Sequence, residues 1–404
     1  MKILFITNKF PYPPKDGGTI ASFQHMWGLA SIGADVTVVS INTKKHFCNI
    51  SSLPPEITSK ITFKAVYVDT TLSAFDALKN LLFSNLPYNA ERFISDEFEK
   101  MIIETLASDQ FDVVQLEGLY LCPYIPLIRN YSNALIAYRA HNIEHEIWVR
   151  SISREKNHLK KRYLKILASR LLDFETSYIN KYDLLVPITP RDASTFDKWG
   201  NNKPTLVSPT GVDTNNYKPD NTRVLYPSIF HIGALDWFPN QEGLLWFLRT
   251  VWRYISKDYP DLKFYIAGRN APTWFTEELK KFKNIEFVGE VEDAHTFLNS
   301  YGIMVVPLFS GGGMRIKIIE GMALQKTIVS TPIGAEGIPV THGKEMLIAS
   351  NSEEFSACVE KLINDRSLFD EIGRNALTFV HSIFDSEKLA GNLFEFYKSQ
   401  INGR

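Results

Sequence analysis

The stretch "IMVVPLFSGGGMRIKIIEGMAL", residues 303–324, decides how the chain is read. It begins as a continuous apolar run and ends with apolar residues at helical spacing, and three glycines lie between. A strand that enters a helix through bare backbone is the turn of an open α/β sheet, and such sheets bind ligands at the carboxyl ends of their strands. Glycines expose backbone N–H groups, and the helix N-terminus adds partial positive charge. Arg315 and Lys317 add two full charges, so the turn suits a diphosphate. Glu320 lies about one turn further on and can accept hydrogen bonds from a vicinal diol, as the acid of dinucleotide folds does with ribose. A phosphate seat beside a diol seat points to a nucleotide. Taken alone, the stretch reads equally well as a flexible loop before a capped surface helix.

The same alternation of strand and helix runs almost the length of the chain. Strands are expected at Ile3–Thr7, Val36–Ile41, Ile61–Val68, Val113–Leu116, Leu135–Tyr138 and Leu184–Ile188. A second set is expected at Ile229–Ile232, Lys263–Ala267, Ile285–Val288, Ile303–Pro307, Ile328–Ser330 and Met346–Ala349. Continuous apolar runs, rather than strict alternation, fit strands buried on both faces of parallel sheets. The class is α/β, with two Rossmann-like doubly wound domains, as 404 residues would suggest. The stretch "PTGVDTNNYKPDNTRVLYPS", residues 209–228, is rich in Pro, Asn, Asp and Thr and reads as the join. The expected division is 1–208, a linker at 209–227, a second domain at 228–385, and a terminal helix at 386–404. That last segment carries Leu389, Leu393, Phe394, Phe396 and Tyr397 at helical spacing and needs a surface to bury against.

A net charge of −1 gives no whole-chain attraction to nucleic acid. Three dispersed cysteines, Cys48, Cys122 and Cys358, fit a reducing cytoplasm and show no metal spacing. The N-terminal apolar run is too short for a signal peptide, and no run reaches the ~18 apolar residues of a spanning helix. A helix over about Glu144–Asn180 carries eight Lys/Arg between Arg150 and Arg170 against one acid, Glu155. It reads either as a solvated face or as a patch for an anionic membrane surface or phosphorylated lipid.

Two further stretches carry chemistry. In "NKFPYPPKDGGTIASFQHMWGLASIGADVTVVS", residues 8–40, the first strand meets a helix through Asp16, Gly17 and Gly18. This is a second strand-to-helix glycine turn, and two such sites suggest a ligand held in a cleft between the domains. It also reads as a plain structural turn. In "YRAHNIEHE", residues 138–146, His141 and Asn142 follow a strand end and are expected to face the same cleft. His141 and His145 stand four apart, but no third metal ligand is evident. A Walker loop and a G-x-G-x-x-G after the first strand are both absent.

These segments, in this order, resemble a family 4 retaining glycosyltransferase of the GT-B fold over nearly the whole chain. The opening strand and Gly-Gly loop, the interdomain "TLVSPTGVDTNNYKP" and the block "IIEGMALQKTIVSTPIGAEGI" carry the resemblance. It implies two Rossmann-like domains facing a central cleft, with the C-terminal helix crossing back to the N-terminal domain. It implies a nucleotide-sugar donor, UDP-linked ahead of GDP-linked, with no cofactor and no metal. The acceptor would be a glycan or lipid-linked molecule of bacterial surface polysaccharide or glycolipid synthesis, and the enzyme cytoplasmic or peripheral at the inner membrane face. By position, Glu320 matches the ribose-binding glutamate and His141 the histidine beside the transferred sugar. Gly17 and Gly18 match the loop facing the donor phosphates, or the acceptor near them. Gly289, Glu290 and Val291 match a loop near the base.

Two departures from the family stand out. The paired-glutamate motif E-x7-E has Gly312 at its first position. The segment "HIGALDWFPNQEG", residues 231–243, lacks the Arg and Lys often aimed at the diphosphate. Arg315 and Lys317 are the expected replacements, beside Gly233, Gly312 and Gly313. Asp16, Glu117 and Asp236 lie near strand ends and are candidates to orient an acceptor. A GT-B epimerase or hydrolase, or an inactive nucleotide-sugar binder, is the alternative reading.

Overall fold

The computed structural model describes every residue except 15, 153, 154, 156 and 404. Among the described residues are two six-stranded sheets. In the first, β1 (Lys2–Thr7), β2 (Asp35–Asn42), β3 (Ile61–Tyr67), β4 (Val113–Glu117), β5 (Leu135–Ala140) and β6 (Leu184–Pro187) lie in the order β3-β2-β1-β4-β5-β6. In the second, β7 (Leu225–Ile232), β8 (Phe264–Ala267), β9 (Ile285–Gly289), β10 (Tyr301–Val306), β11 (Thr327–Ser330) and β12 (Leu347–Ile348) lie in the order β12-β11-β10-β7-β8-β9. Every pairing is parallel.

The two orders are the same topology counted from opposite edges. In each, the first strand of the sheet lies beside the fourth, and the crossovers leave in opposite directions from that pair. A crevice opens at the carboxyl ends of such a pair, where the chain cannot cover the sheet edge. The crevice is therefore expected at β1/β4 in the first sheet and β7/β10 in the second.

The chain divides into a unit of residues 1–210 with 386–404 and a unit of residues 211–385. Each sheet is covered on both faces, so its central strands are apolar throughout. In the first unit, Leu4, Ile6, Val114 and Ile136 pack on one face and Ile3, Phe5, Val113 and Leu135 on the other. In the second, Ile229, Ile303 and Val305 face one layer and Phe230, Met304 and Val306 the other. The helix Ser386–Asn402 belongs to the first unit, where Leu393 and Tyr397 join the core beside Met26 and Val113. Gly28 permits that approach, since a Cβ there would lie 2.8 Å from the Ala390 methyl.

The single helix expected over Glu144–Asn180 is corrected to two, Glu144–Ile152 and His158–Ser177. Local capping makes the break. The Asn157 side chain accepts from Leu159 and Lys160 N–H at 3.0 and 3.1 Å and starts the second helix. The first helix is capped from the second, because Glu175 accepts from Glu144 N–H at 3.0 Å. Of the basic positions read in this region, Arg154 and Lys156 lie outside the described residues.

Candidate functional site

In the second unit the candidates gather at the β7/β10 pair. His231 on β7 donates from Nδ1 to the Val305 carbonyl of β10 at 2.9 Å. A carbonyl only accepts, so the proton sits on Nδ1 and Nε2 is left with a lone pair. Burial, then the Lys317 charge, holds His231 well below its usual range, so the ring is neutral. Lys317 comes from the first turn of the helix Ile316–Ala323 and is 3.3 Å from His231 Nε2. Its Nζ also donates to Asn240 Oδ1 at 2.9 Å. Gly233 follows β7 beside it, where a Cβ would stand 3.0 Å from Nζ.

Lys317 thus meets a neutral imidazole and an amide oxygen, and among the described residues none of its hydrogen-bonding groups is a carboxylate. Burial, and after it the neighbouring Arg315 charge, lowers its pKa to about 7. Arg315 is itself buried. Its guanidinium donates to the Gly312, Gly313 and Ser310 carbonyls and lies 5.7 Å from the Trp237 ring. It staples the glycine loop from inside. Gly311 and Gly313 have φ of 105° and 73°, which other residues adopt only with strain. The loop therefore needs its glycines for shape as well as for exposed N–H groups.

Glu320 lies on the same helix, partly buried, and accepts from Tyr217 O–H at 2.9 Å. Burial raises its pKa, against the Tyr217 hydrogen bond and His295. Gly289 has a φ of 78° and its carbonyl accepts from Gly268 N–H at 2.7 Å, while Glu290 is exposed. Asp236 is also exposed and accepts from Asn270 at 3.2 Å, so it belongs to the second unit's surface.

In the first unit the candidates gather at the β1/β4 pair. Glu117, the last residue of β4, is buried and accepts from Ser22 Oγ at 2.7 Å and His141 Nε2 at 2.8 Å. Gln115 Nε2 donates to its other oxygen, and Tyr397 O–H of the terminal helix donates to Gln115 at 2.5 Å. Burial alone would raise the Glu117 carboxyl, but His141 and then Arg139 hold it at about 2. Glu117 is therefore held from three sides, by Ser22, Gln115 and His141. Asn142 lies beside Glu144, whose carboxyl is pushed up to about 7 by burial against hydrogen bonds from Tyr120 and Asn142. His145 Nδ1 pairs with Glu175 at 3.0 Å. Among the described residues no group of three or more His, Cys, Asp or Glu could hold a metal ion.

Asp16 caps the helix Gly17–Ser31, accepting from Thr19 N–H at 2.9 Å. It also pairs with Lys9 and His46, each at 2.8 Å. Burial works against its charge, yet the His46 hydrogen bond and the Lys9 ammonium hold it well below the usual carboxylate range. Its role in the structure is to start the helix that Gly17 and Gly18 open.

No sequence motif marks His231, Asn240, Tyr217 or His46. His231 and Asn240 lie inside the segment 231–243 that lacks Arg and Lys, and their polarity amid apolar neighbours is the signal the sequence offers. Tyr217 and His46 sit in loops with no periodicity to mark them.

The two doubly wound sheets are the GT-B fold. Residues 226–365 match the family model described as "Glycosyl transferases group 1". An uncharacterized 44.6 kDa protein in the cps region of Klebsiella pneumoniae is 25% identical, over 98% of this chain and 99% of that protein. The capsular polysaccharide biosynthesis glycosyltransferase CapM of Staphylococcus aureus is 25% identical, over 48% of this chain and 53% of that protein. Anabaena HepE, crystallised in complex with UDP, superposes with a TM-score of 0.68 at 15% identity, over 99% of this chain and 100% of that chain.

Proposed function

We propose that the protein is a group 1 glycosyltransferase, of the family 4 type without the first glutamate of E-x7-E, that transfers a hexosyl group with retention. The donor in this reading is a nucleotide-diphosphate sugar, UDP-linked ahead of GDP-linked, and the acceptor a glycan or lipid-linked molecule of surface polysaccharide assembly. The observation that carries the reading is Lys317: a partly buried cation, next to Arg315, whose hydrogen-bonding partners are neutral. Such a group calls for an anion, and it stands at the sheet's crevice beside a glycine loop and a helix N-terminus. The match to the group 1 family model and the similarity to CapM and HepE support the same reading.

In this scheme the diphosphate lies on the Gly311–Gly313 N–H groups and Lys317, with Arg315 fixing the loop and adding charge. Glu320 exchanges its Tyr217 hydrogen bond for the ribose hydroxyls. Cations already in place stabilise the charge that develops as the glycosidic bond breaks, without help from a metal. The acceptor hydroxyl attacks on the face of departure and passes its proton to the leaving phosphate oxygen. In the first unit, His141 held by Glu117 is assigned to the transferred sugar. The exposed basic residues between Arg150 and Arg170 would favour work at the inner face of a membrane; no described helix is long and apolar enough to cross one.

The test is calorimetric titration of UDP, GDP and their sugars. UDP is expected to bind wild type, and Lys317→Gln to weaken it about 10- to 100-fold, as loss of one charge-assisted hydrogen bond implies. Unchanged affinity in that variant overturns the assignment. Release of free sugar with no mass gain on any acceptor would overturn the transferase reading.

A further inference from the structure

The helix Ala74–Phe83 is built inside out. Toward the protein it turns Asn80, which is buried and donates from its side chain to the Leu86 carbonyl at 2.9 Å and to Glu91. Toward solvent it turns Phe75, Leu78, Leu82 and Phe83, and Leu72 precedes them; these five are between 54% and 83% exposed. Phe75, Leu78 and Leu82 recur at three and four residues and so form one stripe. A folded chain that places an amide inward and its largest apolar side chains outward has an apolar face awaiting a partner.

The neighbouring helix, His158–Ser177, says what that partner is. It is fixed beside the first, because Arg170 donates to the Asn80 and Leu81 carbonyls, from Nη2 to Leu81 at 2.9 Å. Leu159, 82% exposed, and Ile166, 37% exposed, lie on the same stripe as Arg170, at helical spacings of seven and four. Arg162 and Lys165 are exposed just beyond them, with Lys161 on the next flank, and Lys79 is exposed on the first helix. Among the described residues none of these four has an ion pair, whereas Lys160 is answered by Glu155 at 2.7 Å. Asp76 and Asp173 are the exposed acids on the two helices.

We propose that the Ala74–Phe83 helix lies in the plane of an anionic bilayer, its Phe/Leu stripe among the acyl chains and the Lys/Arg of His158–Ser177 on the headgroups. Apolar area and basic charge on one surface are the two signals that interfacial helices combine. A protein partner would need acidic groups around an apolar centre, whereas an anionic leaflet offers both without further structure. The inference rests on the membrane-face reading proposed above and adds the surface that makes the contact; it reads no donor or acceptor, so its failure would leave the transferase reading standing.

Flotation of the full-length protein with vesicles tests it. With phosphatidylcholine containing phosphatidylglycerol, the wild type is expected to float. With phosphatidylcholine alone, or at about 0.5 M salt where charges are screened within a few ångström, it is expected to stay behind. Phe75→Ser/Leu78→Ser/Leu82→Ser and Lys161→Gln/Arg162→Gln/Lys165→Gln should each lose at least about tenfold in partitioning. All six positions are solvent-facing or flank-facing, so circular dichroism and melting should match wild type. No flotation of wild type on the anionic vesicles overturns the proposal, as does equal flotation of the apolar variant. Light scattering that shows a dimer, dissolved by the same three serines, would assign the stripe to a second copy and also overturn it.

Discussion

Lys317 holds its proton where burial and Arg315 both oppose it, with a pKa of about 7. An anion at Nζ would reverse that balance and raise the value. Binding of UDP above pH 7 should therefore take up a proton. Affinity should fall as pH rises past about 7, by up to about tenfold per unit, until the pKa of the complex is reached. Calorimetry in buffers of different ionisation enthalpy checks the sign, and affinity flat from pH 7 to 8.5 would remove Lys317 from the phosphate. The sequence showed two cations in a glycine turn but not where each points. Arg315 turns back onto its own loop, and Lys317 meets partners 77 and 86 residues away. No local pattern encodes such contacts, because they arise only when β7 and β10 lie side by side.

At the scale of elements, the segment that leads into the glycine loop rests on the helix Phe238–Phe247, with Phe309 against Trp246 and Ser310 donating to Glu242. Gly243 faces the end of β10 so closely that a Cβ would lie 1.9 Å from the Pro307 carbonyl oxygen. Gly243→Ala must push helix and strand apart, which should cost about 1–3 kcal/mol and weaken UDP binding by displacing the loop. Gly391→Ala is the control: it is helical with nothing within 4 Å of a new Cβ, and should be neutral or stabilising by up to about 1 kcal/mol. Urea unfolding of both variants measures the contrast, and equal stability would mean the contact relaxes freely. The strands were legible because buried parallel strands are apolar end to end. The break before His158 was not, since Asn157 is a cap only once the chain has turned there. Periodicity gives a helix a face, and only the fold tells which side of Ala74–Phe83 is covered.

Across the whole chain, the last helix returns to the first unit, and its hydroxyl at Tyr397 reaches Gln115. Its apolar spacing announced that it must be buried, while its hydrogen bond into β4 came from no motif. Tyr397→Phe leaves the Gln115 oxygen buried without its donor and should cost about 1–3 kcal/mol. UDP titration should be unaffected, because the nucleotide residues proposed here belong to the other unit. A parallel loss of UDP affinity would show the two units to be energetically coupled.

That hydroxyl is also the first link of a row that passes through Gln115 and Glu117 to His141. A ribosome that has finished every strand of both sheets has not yet made the tyrosine that begins the row. The row is complete only after residue 397 has emerged and folded back. Translation products truncated before that point would then carry the whole second unit but a first unit whose buried Gln115 oxygen lacks its donor.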